Sequence, residues 1–265
     1  MHTTPLILVT NDDGVGSPGL WAAVQGALLL GDVIVAAPHT QQTGMGRAFP
    51  RTPDLGIIEK MDCQVQGVRV PTYGVHGSPA YAAAYGILEL APRRPDLCIS
   101  GINYGENVGM TLTCSGTLGA AFEASSHGIP ALAVSVQADL AVQRSNEFQE
   151  LDWEIPREVV AQWARFMLSG QRDRRIDVLN VNIPSGVRDS SQYRITTQSR
   201  LNYFEFCKPP KRDQGRPYPL QTKHWVDEEA LEKESDIHAV YRERLISITP
   251  LSTVMSLPSD VVGGI

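Results

Sequence analysis

"LILVTNDDGVGSPG", residues 6–19, joins an apolar run to two acids and a glycine series. Leu6–Thr10 is a continuous apolar run, the pattern of a strand buried on both faces of a sheet. The run ends in Asn11-Asp12-Asp13, and Gly14-x-Gly16-x-x-Gly19 follows at once. Ser17-Pro18 then opens a helix, with Ser as N-cap and Pro at the first helical position. Leu20, Ala23, Val24, Ala27 and Leu28 keep the helical spacing. A strand–turn–helix of this kind puts both aspartates at the carboxyl end of a strand. That is the edge where open α/β sheets bind ligands.

The loop admits two chemistries. The glycines match the spacing of a dinucleotide-binding turn, but Asp12 and Asp13 would face a pyrophosphate with like charge. The acid expected to hold the ribose at the end of the second strand is missing, because that strand reads Val33-Ile34-Val35-Ala36-Ala37-Pro38. The aspartates favour a hard cation instead, since adjacent carboxylates repel unless something positive lies between them. Asn-Asp-Asp-Gly is also good turn chemistry, and a turn alone remains the plainer reading of these four residues.

Outward from this loop, strands and helices alternate. Val33–Ala36 is predicted as a strand, His39–Arg47 as a loop, and Gly56–Glu59 and Val68–Val70 as short β pieces. Ser78-Pro79 repeats the cap signal and opens a helix to about Leu90. Asp96–Ser100 is a buried strand, Gly105–Ser115 a polar loop, and Thr117–His127 an Ala-rich helix stopped by Gly128 and Pro130. Ala131–Ser135, an amphipathic helix over Pro156–Leu168, and a strand over Ile176–Val181 complete the series. The order predicts a doubly wound, mostly parallel sheet. The division expected is a catalytic core over 1–184 and a C-terminal extension over 185–265. Tyr193–Thr197 and Leu245–Ile248 look like strands. The polar arm between them is either a subunit-packing extension or a surface loop.

The chain has 265 residues, 42% of them hydrophobic and 20% charged, with a net charge of −6. This is ordinary globular composition. A mild acidic excess argues against a general binder of nucleic-acid duplexes, which needs a concentrated basic face. No secretory signal and no membrane-length apolar run is present. Cys63, Cys98, Cys114 and Cys207 form no CxxC pair, so free thiols in a cytoplasmic protein are expected.

Three further stretches leave strands or helices at the same edge. In "APHTQQTGMGRA", residues 37–48, Thr43 offers a hydroxyl and Gly44 a close backbone approach. In "SGINYGENVG", residues 100–109, Asn103 offers a neutral amide oxygen. Asp12, Asp13, Thr43 and Asn103, with waters completing six ligands, make a set suited to one Mg²⁺ or Mn²⁺ ion. In "CSGTLGAAFEA", residues 114–124, Ser115-Gly116-Thr117 lead into a helix N-terminus, a place for a phosphate or simply a Ser/Thr cap. Other phosphate chemistries fail: position 120 is Ala where a cysteine phosphatase needs Arg, and no Gly-Lys-Ser/Thr triplet or GxSxG elbow occurs.

Taken together, "LVTNDDGVGSPGL", "APHTQQTGMGRA", "VHGSPA", "ISGINYGENVG", "CSGTLGAAFEASSHGIPALAVS" and "SDIHAVYRERLISITPL" resemble the SurE family, the survival-protein nucleotidases, from Leu6 to about Leu251. The resemblance implies a Rossmann-like, mostly parallel sheet flanked by helices, with a C-terminal β-hairpin arm and a swapped tail that builds homodimers or homotetramers. It implies a metal-dependent phosphatase for nucleoside monophosphates, 5′ and often 3′, with short polyphosphate as a further substrate in some members. Carried over by position, the metal ligands are Asp12, Asp13, Thr43 and Asn103, with Asp12, Asp13 and Asn103 catalytic. Asn11, Gly44, Ser115, Gly116 and Thr117 stand at the substrate. Thr43 replaces the usual Ser, which keeps the oxygen and adds a methyl. Two rivals fit less well: a nicotinamide-dependent oxidoreductase lacks its ribose acid, and a receiver module lacks a phosphoacceptor Asp at the end of a central strand.

Overall fold

A computed structural model describes residues 4–140, 142–143, 148–257 and 261. Its centre is a nine-stranded sheet in the order β3-β4-β2-β1-β5-β6-β7-β11-β8. The strands are β1 (Leu6–Thr10), β2 (Asp32–Pro38), β3 (Ile58–Val65), β4 (Val68–Val75), β5 (Leu97–Tyr104), β6 (Ala131–Val136), β7 (Val178–Ile183), β8 (Tyr193–Ile195) and β11 (Ile246–Leu251). The run β4-β2-β1-β5-β6-β7 is parallel throughout. β3 and β11 join it antiparallel. Four helices flank it: α1 (Pro18–Ala27), α2 (Pro79–Tyr85), α3 (Gly116–Ser126) and α4 (Glu154–Leu168).

The apolar strands divide their side chains between two cores, as period-2 alternation requires. Ile7 and Val9 of β1 pack with α1 and α4, whereas Leu6 and Leu8 pack on the other face with α3. Every residue of β1, β5, β6 and β7 is buried, which explains why their sequences read as runs rather than alternations. β2 follows β1 on one side and β5 follows on the other, so the order of connection reverses beside β1. The loops after β1, β2 and β5 therefore open at one crevice along the carboxyl edge.

The opening loop explains its own glycines. Gly14 has φ +95°, a left-handed conformation that L side chains rarely adopt. A Cβ at Gly19 would collide with the Ile102 carbonyl oxygen, so α1 packs on β5 only because that position is bare. Gly16 has neither constraint, with open space around its Cα. The fingerprint is thus one turn and one close packing, with a third glycine that neither requires. Ser17 occupies the N-cap of α1 without a side-chain bond, its hydroxyl buried and unpartnered, while Pro18 starts the helix as the sequence predicts. Ser78 does cap, accepting from the Tyr81 N–H at 3.2 Å.

Several boundaries differ from the sequence reading. The two short β pieces are one hairpin, β3–β4, paired from Ile58↔Val75 to Val65↔Val68. Only one face of β3 is covered, so charged residues interrupt its apolar pattern. The helix opened at Ser78-Pro79 stops being α-helical at Tyr85 and ends in a wider turn over Gly86–Leu90. β5 runs four residues past its predicted end at Ser100, to Tyr104. Its register to β6 slips between Ser100 and Asn103, two residues opposing one.

The polar stretch after β8 holds a two-stranded antiparallel ribbon, β9 (Phe204–Phe206) with β10 (Thr222–His224). The chain then returns through Asp236, which is buried and accepts the N–H groups of Gly109 and Ser199 at 2.9 and 3.0 Å. β11 enters the main sheet between β7 and β8. No helix among the described residues is long and apolar enough to cross a membrane.

Candidate active site

Asp12 and Asp13 sit at the end of β1, each only 3% exposed. Neither forms an ion pair with Lys, Arg or His among the described residues. Their partners are neutral donors. The Thr117 hydroxyl donates to Asp12 Oδ1 at 2.7 Å. The Tyr104 N–H donates to Asp13 Oδ2 at 3.1 Å, and Gln41 Nε2 donates to Asp13 Oδ1 at 3.4 Å.

Neutral donors offset only part of the cost of burying two like charges. Burial pushes the Asp12 carboxyl up to about 6. Burial and then repulsion from Asp12 push Asp13 up to about 8. The arrangement lacks a positive charge, and a divalent cation suits oxygen donors of this kind. A Cβ on Gly116 would lie 2.8 Å from Asp12 Oδ2, so the start of α3 approaches the carboxylate as bare backbone.

The β2 loop is latched over this pair. The Gln42 N–H donates to the Asp12 carbonyl at 2.7 Å, and the Gly46 N–H to the Cys114 carbonyl at 3.1 Å. Arg47 Nε donates to Glu123 of α3 at 2.8 Å. Thr43 lies between these latches. It is exposed, and its hydroxyl donates to the Gln143 carbonyl at 3.3 Å. Gln41 reaches that carbonyl at 3.5 Å as well, so Thr43 and Asp13 belong to one hydrogen-bonded group. Gly44 has φ +79° and nothing near its missing side chain.

Asn103 stands at the bulge in β5, next to the Tyr104 N–H that binds Asp13. Its Nδ2 donates to the Gly105 carbonyl at 2.6 Å, which leaves the amide oxygen as an acceptor. Asn11 shapes the turn: its amide donates to the Gly14 carbonyl at 2.9 Å and accepts the Gly14 N–H at 3.2 Å. Ser115 caps α3, accepting from the Leu118 N–H at 3.2 Å. The side chains of Asn11, Ser115 and Thr117 are thus each bonded within the chain.

The sequence reading missed Asn107. Its Nδ2 donates to Thr117 Oγ1 at 3.3 Å and to Ser135 Oγ of β6 at 2.9 Å. Its N–H donates to Asn182 Oδ1, and its carbonyl accepts from Asn180 and Asn182, both on β7. A polar path therefore runs from β7 through Asn107 and Thr117 to Asp12. The signal was an Asn pair, Asn180 and Asn182, inside an otherwise apolar strand. Gln41 and Gln143 were missed as well, since loop glutamines carry no pattern.

Residues 7–205 match the family described as survival protein SurE. The chain belongs to the survival protein SurE family. A relative from Methanocella arvoryzae, named 5'-nucleotidase SurE, is 36% identical over 97% of this chain and 95% of its own. Another with the same name, from Methanothrix thermoacetophila, is 37% identical over 93% of this chain and 92% of its own. Among solved structures, the SurE protein from Aquifex aeolicus matches with a TM-score of 0.71 and 25% identity, covering 98% of this chain and 97% of that one.

The acid pair has a measurable consequence for stability. Both carboxyls keep their protons to higher pH in the folded protein than in the unfolded chain. Without a cation, stability therefore falls as pH rises from about 4 to about 8. Asp13→Asn, which mimics the protonated acid, is expected to raise the metal-free unfolding free energy in urea at pH 8 by on the order of 2 kcal/mol, with a smaller gain at pH 5. A loss of stability at pH 8 would contradict the electrostatic account.

Proposed function

We propose that the protein is a metal-dependent phosphatase that cleaves nucleoside 5′-monophosphates to nucleoside and phosphate. The observation that carries this reading is the buried acid pair, unpaired with any cationic side chain among the described residues, beside the N-terminus of α3. The names of the relatives supply the substrate class. In the same reading, 3′-monophosphates and short polyphosphate are further substrates of this site.

Asp12, Asp13, Thr43 and Asn103 would hold one Mg²⁺ or Mn²⁺ ion. Such an ion supplies Lewis-acid charge against a phosphate oxygen. Thr117, fixed by Asn107, orients Asp12. Gln41 and the Tyr104 N–H hold Asp13. Backbone N–H groups at the start of α3, beginning with Gly116, face developing negative charge on the phosphoryl oxygens. With Asn11 setting the turn, Gly44 and Gly116 leave room for substrate, and Ser115 holds the first turn of the helix. Overall, water adds to phosphorus, the ester P–O bond breaks, and the nucleoside oxygen leaves with a proton. A reducing, cytoplasmic setting suits four cysteines that are not bonded to one another.

Phosphate release from AMP is expected with Mn²⁺ or Mg²⁺ and to be absent in EDTA. Asp12→Asn is expected to lower kcat by about 1,000-fold or more, the order lost with a major electrostatic group, while far-ultraviolet circular dichroism stays unchanged. Near-normal turnover in that variant would remove Asp12 from the chemistry.

We also infer assembly into a homodimer or homotetramer through the C-terminal part of residues 185–265. Phe206 on the ribbon and Trp225 just after it are 63% and 51% exposed, and Val254, Met255 and Leu257 in the tail are about 70% exposed or more, apolar surface without a partner among the described residues of one chain. Light scattering is expected to show a dimer or larger for the full chain and a smaller species when residues after 251 are removed. A monomeric full chain would overturn this.

A further inference from the structure

A second cluster lies at the root of the β2 loop. His39 follows β2, His76 follows β4, and Glu59 stands on β3, so three neighbouring strands each contribute one group. The imidazoles of His39 and His76 stack with centroids 4.5 Å apart and planes 17° from parallel. One carboxylate oxygen faces both: Glu59 Oε1 is 2.9 Å from His76 Nε2 and 3.6 Å from His39 Nδ1. These ligand atoms lie within 4.8 Å of one another.

Two further observations distinguish this cluster from a surface ion pair. His39 Nδ1 is buried and has no hydrogen-bond partner among the described residues, an unmet demand in a residue whose backbone N–H is fixed to the Val75 carbonyl at 2.8 Å. His76 offers Nε2 to the cluster while its Nδ1 lies 2.9 Å from Asp54 Oδ2. A carboxylate on the far nitrogen is the arrangement that orients a metal-binding imidazole and raises its basicity.

We propose that His39, Glu59 and His76 form a second cation site, selective for Zn²⁺ or a similar borderline metal, with Asp54 as the outer partner of His76. Two imidazole nitrogens and one carboxylate oxygen are a zinc donor set with room for water as the fourth ligand. Tetrahedral ligands at about 2.0–2.1 Å from the metal stand about 3.3 Å apart, so the side chains draw in and the stacked rings turn out of parallel to close on an ion. The acid pair, all oxygen, takes a hard ion; this site takes a softer one. Its place gives it a role. His39 is the first residue of the loop that carries Gln41 and Thr43 over Asp13, so a bound ion pins the root of that loop to the β3–β4 hairpin.

The test is Zn²⁺ titration of the metal-stripped full chain against a chromophoric chelator. It needs no activity measurement, so it stands apart from the phosphatase reading. Asp12→Asn is expected to keep one tightly bound Zn²⁺ per chain. His39→Gln, which removes no hydrogen bond, and His76→Gln are expected to lose it by about 100-fold in affinity or more. Asp54→Asn keeps all three ligands and is expected to weaken binding about 10-fold. Co²⁺ in the Asp12→Asn protein is expected to give visible absorption of nitrogen-ligated, four-coordinate metal, lost in Asp12→Asn/His39→Gln. Unchanged Zn²⁺ affinity in both histidine variants, or no binding in Asp12→Asn, would overturn the site and leave His76 a plain imidazolium held by two carboxylates.

Discussion

Two adjacent carboxylates, buried and served only by neutral donors, are the constraint on which the rest of the structure depends. Asp12 and Asp13 cannot both ionise at low cost without a positive charge, and no described side chain supplies one. The protein does not relieve the strain by adding an Arg or Lys. It surrounds the pair with groups that fix position and leave the charge unmet: Thr117, the Tyr104 N–H and Gln41. Stability is given up at the acid pair itself.

The sheet places those groups. Connection order reverses beside β1, so loops from β1, β2 and β5 meet at one edge, and the bulge in β5 sets the Tyr104 N–H against Asp13, with Asn103 the residue before it. The start of α3 comes close enough to Asp12 that only glycine fits at 116. Behind it, Asn107 ties Thr117 to β6 and β7, so the orientation of Asp12 is anchored two strands away. The C-terminal segment contributes through Asp236, which holds the Gly109 N–H at the far end of the same loop.

Much of this was legible in the sequence because it is local. The buried strands read as apolar runs, Pro18 and Pro79 mark helix starts, and the acids follow β1 directly. What was illegible depends on tertiary partners. The β3–β4 hairpin reads as fragments because one face of β3 is open to water. β5 reads as ending at Ser100, since a glycine and a bulge hide its continuation to Tyr104. The GxGxxG spacing pointed to a dinucleotide, yet its glycines answer to a left-handed turn at Gly14 and to the approach of Ile102 at Gly19. Asn107 and the His39–Glu59–His76 cluster combine residues far apart in the chain, which no spacing rule reveals.

The central claim is that the acid pair is a cation site. Anomalous diffraction from crystals soaked in Mn²⁺ tests it most directly. The account predicts a peak about 2.2 Å from a carboxylate oxygen of Asp12 and one of Asp13. Crystals that bind Mn²⁺ elsewhere, with no peak at these two carboxylates, would contradict it.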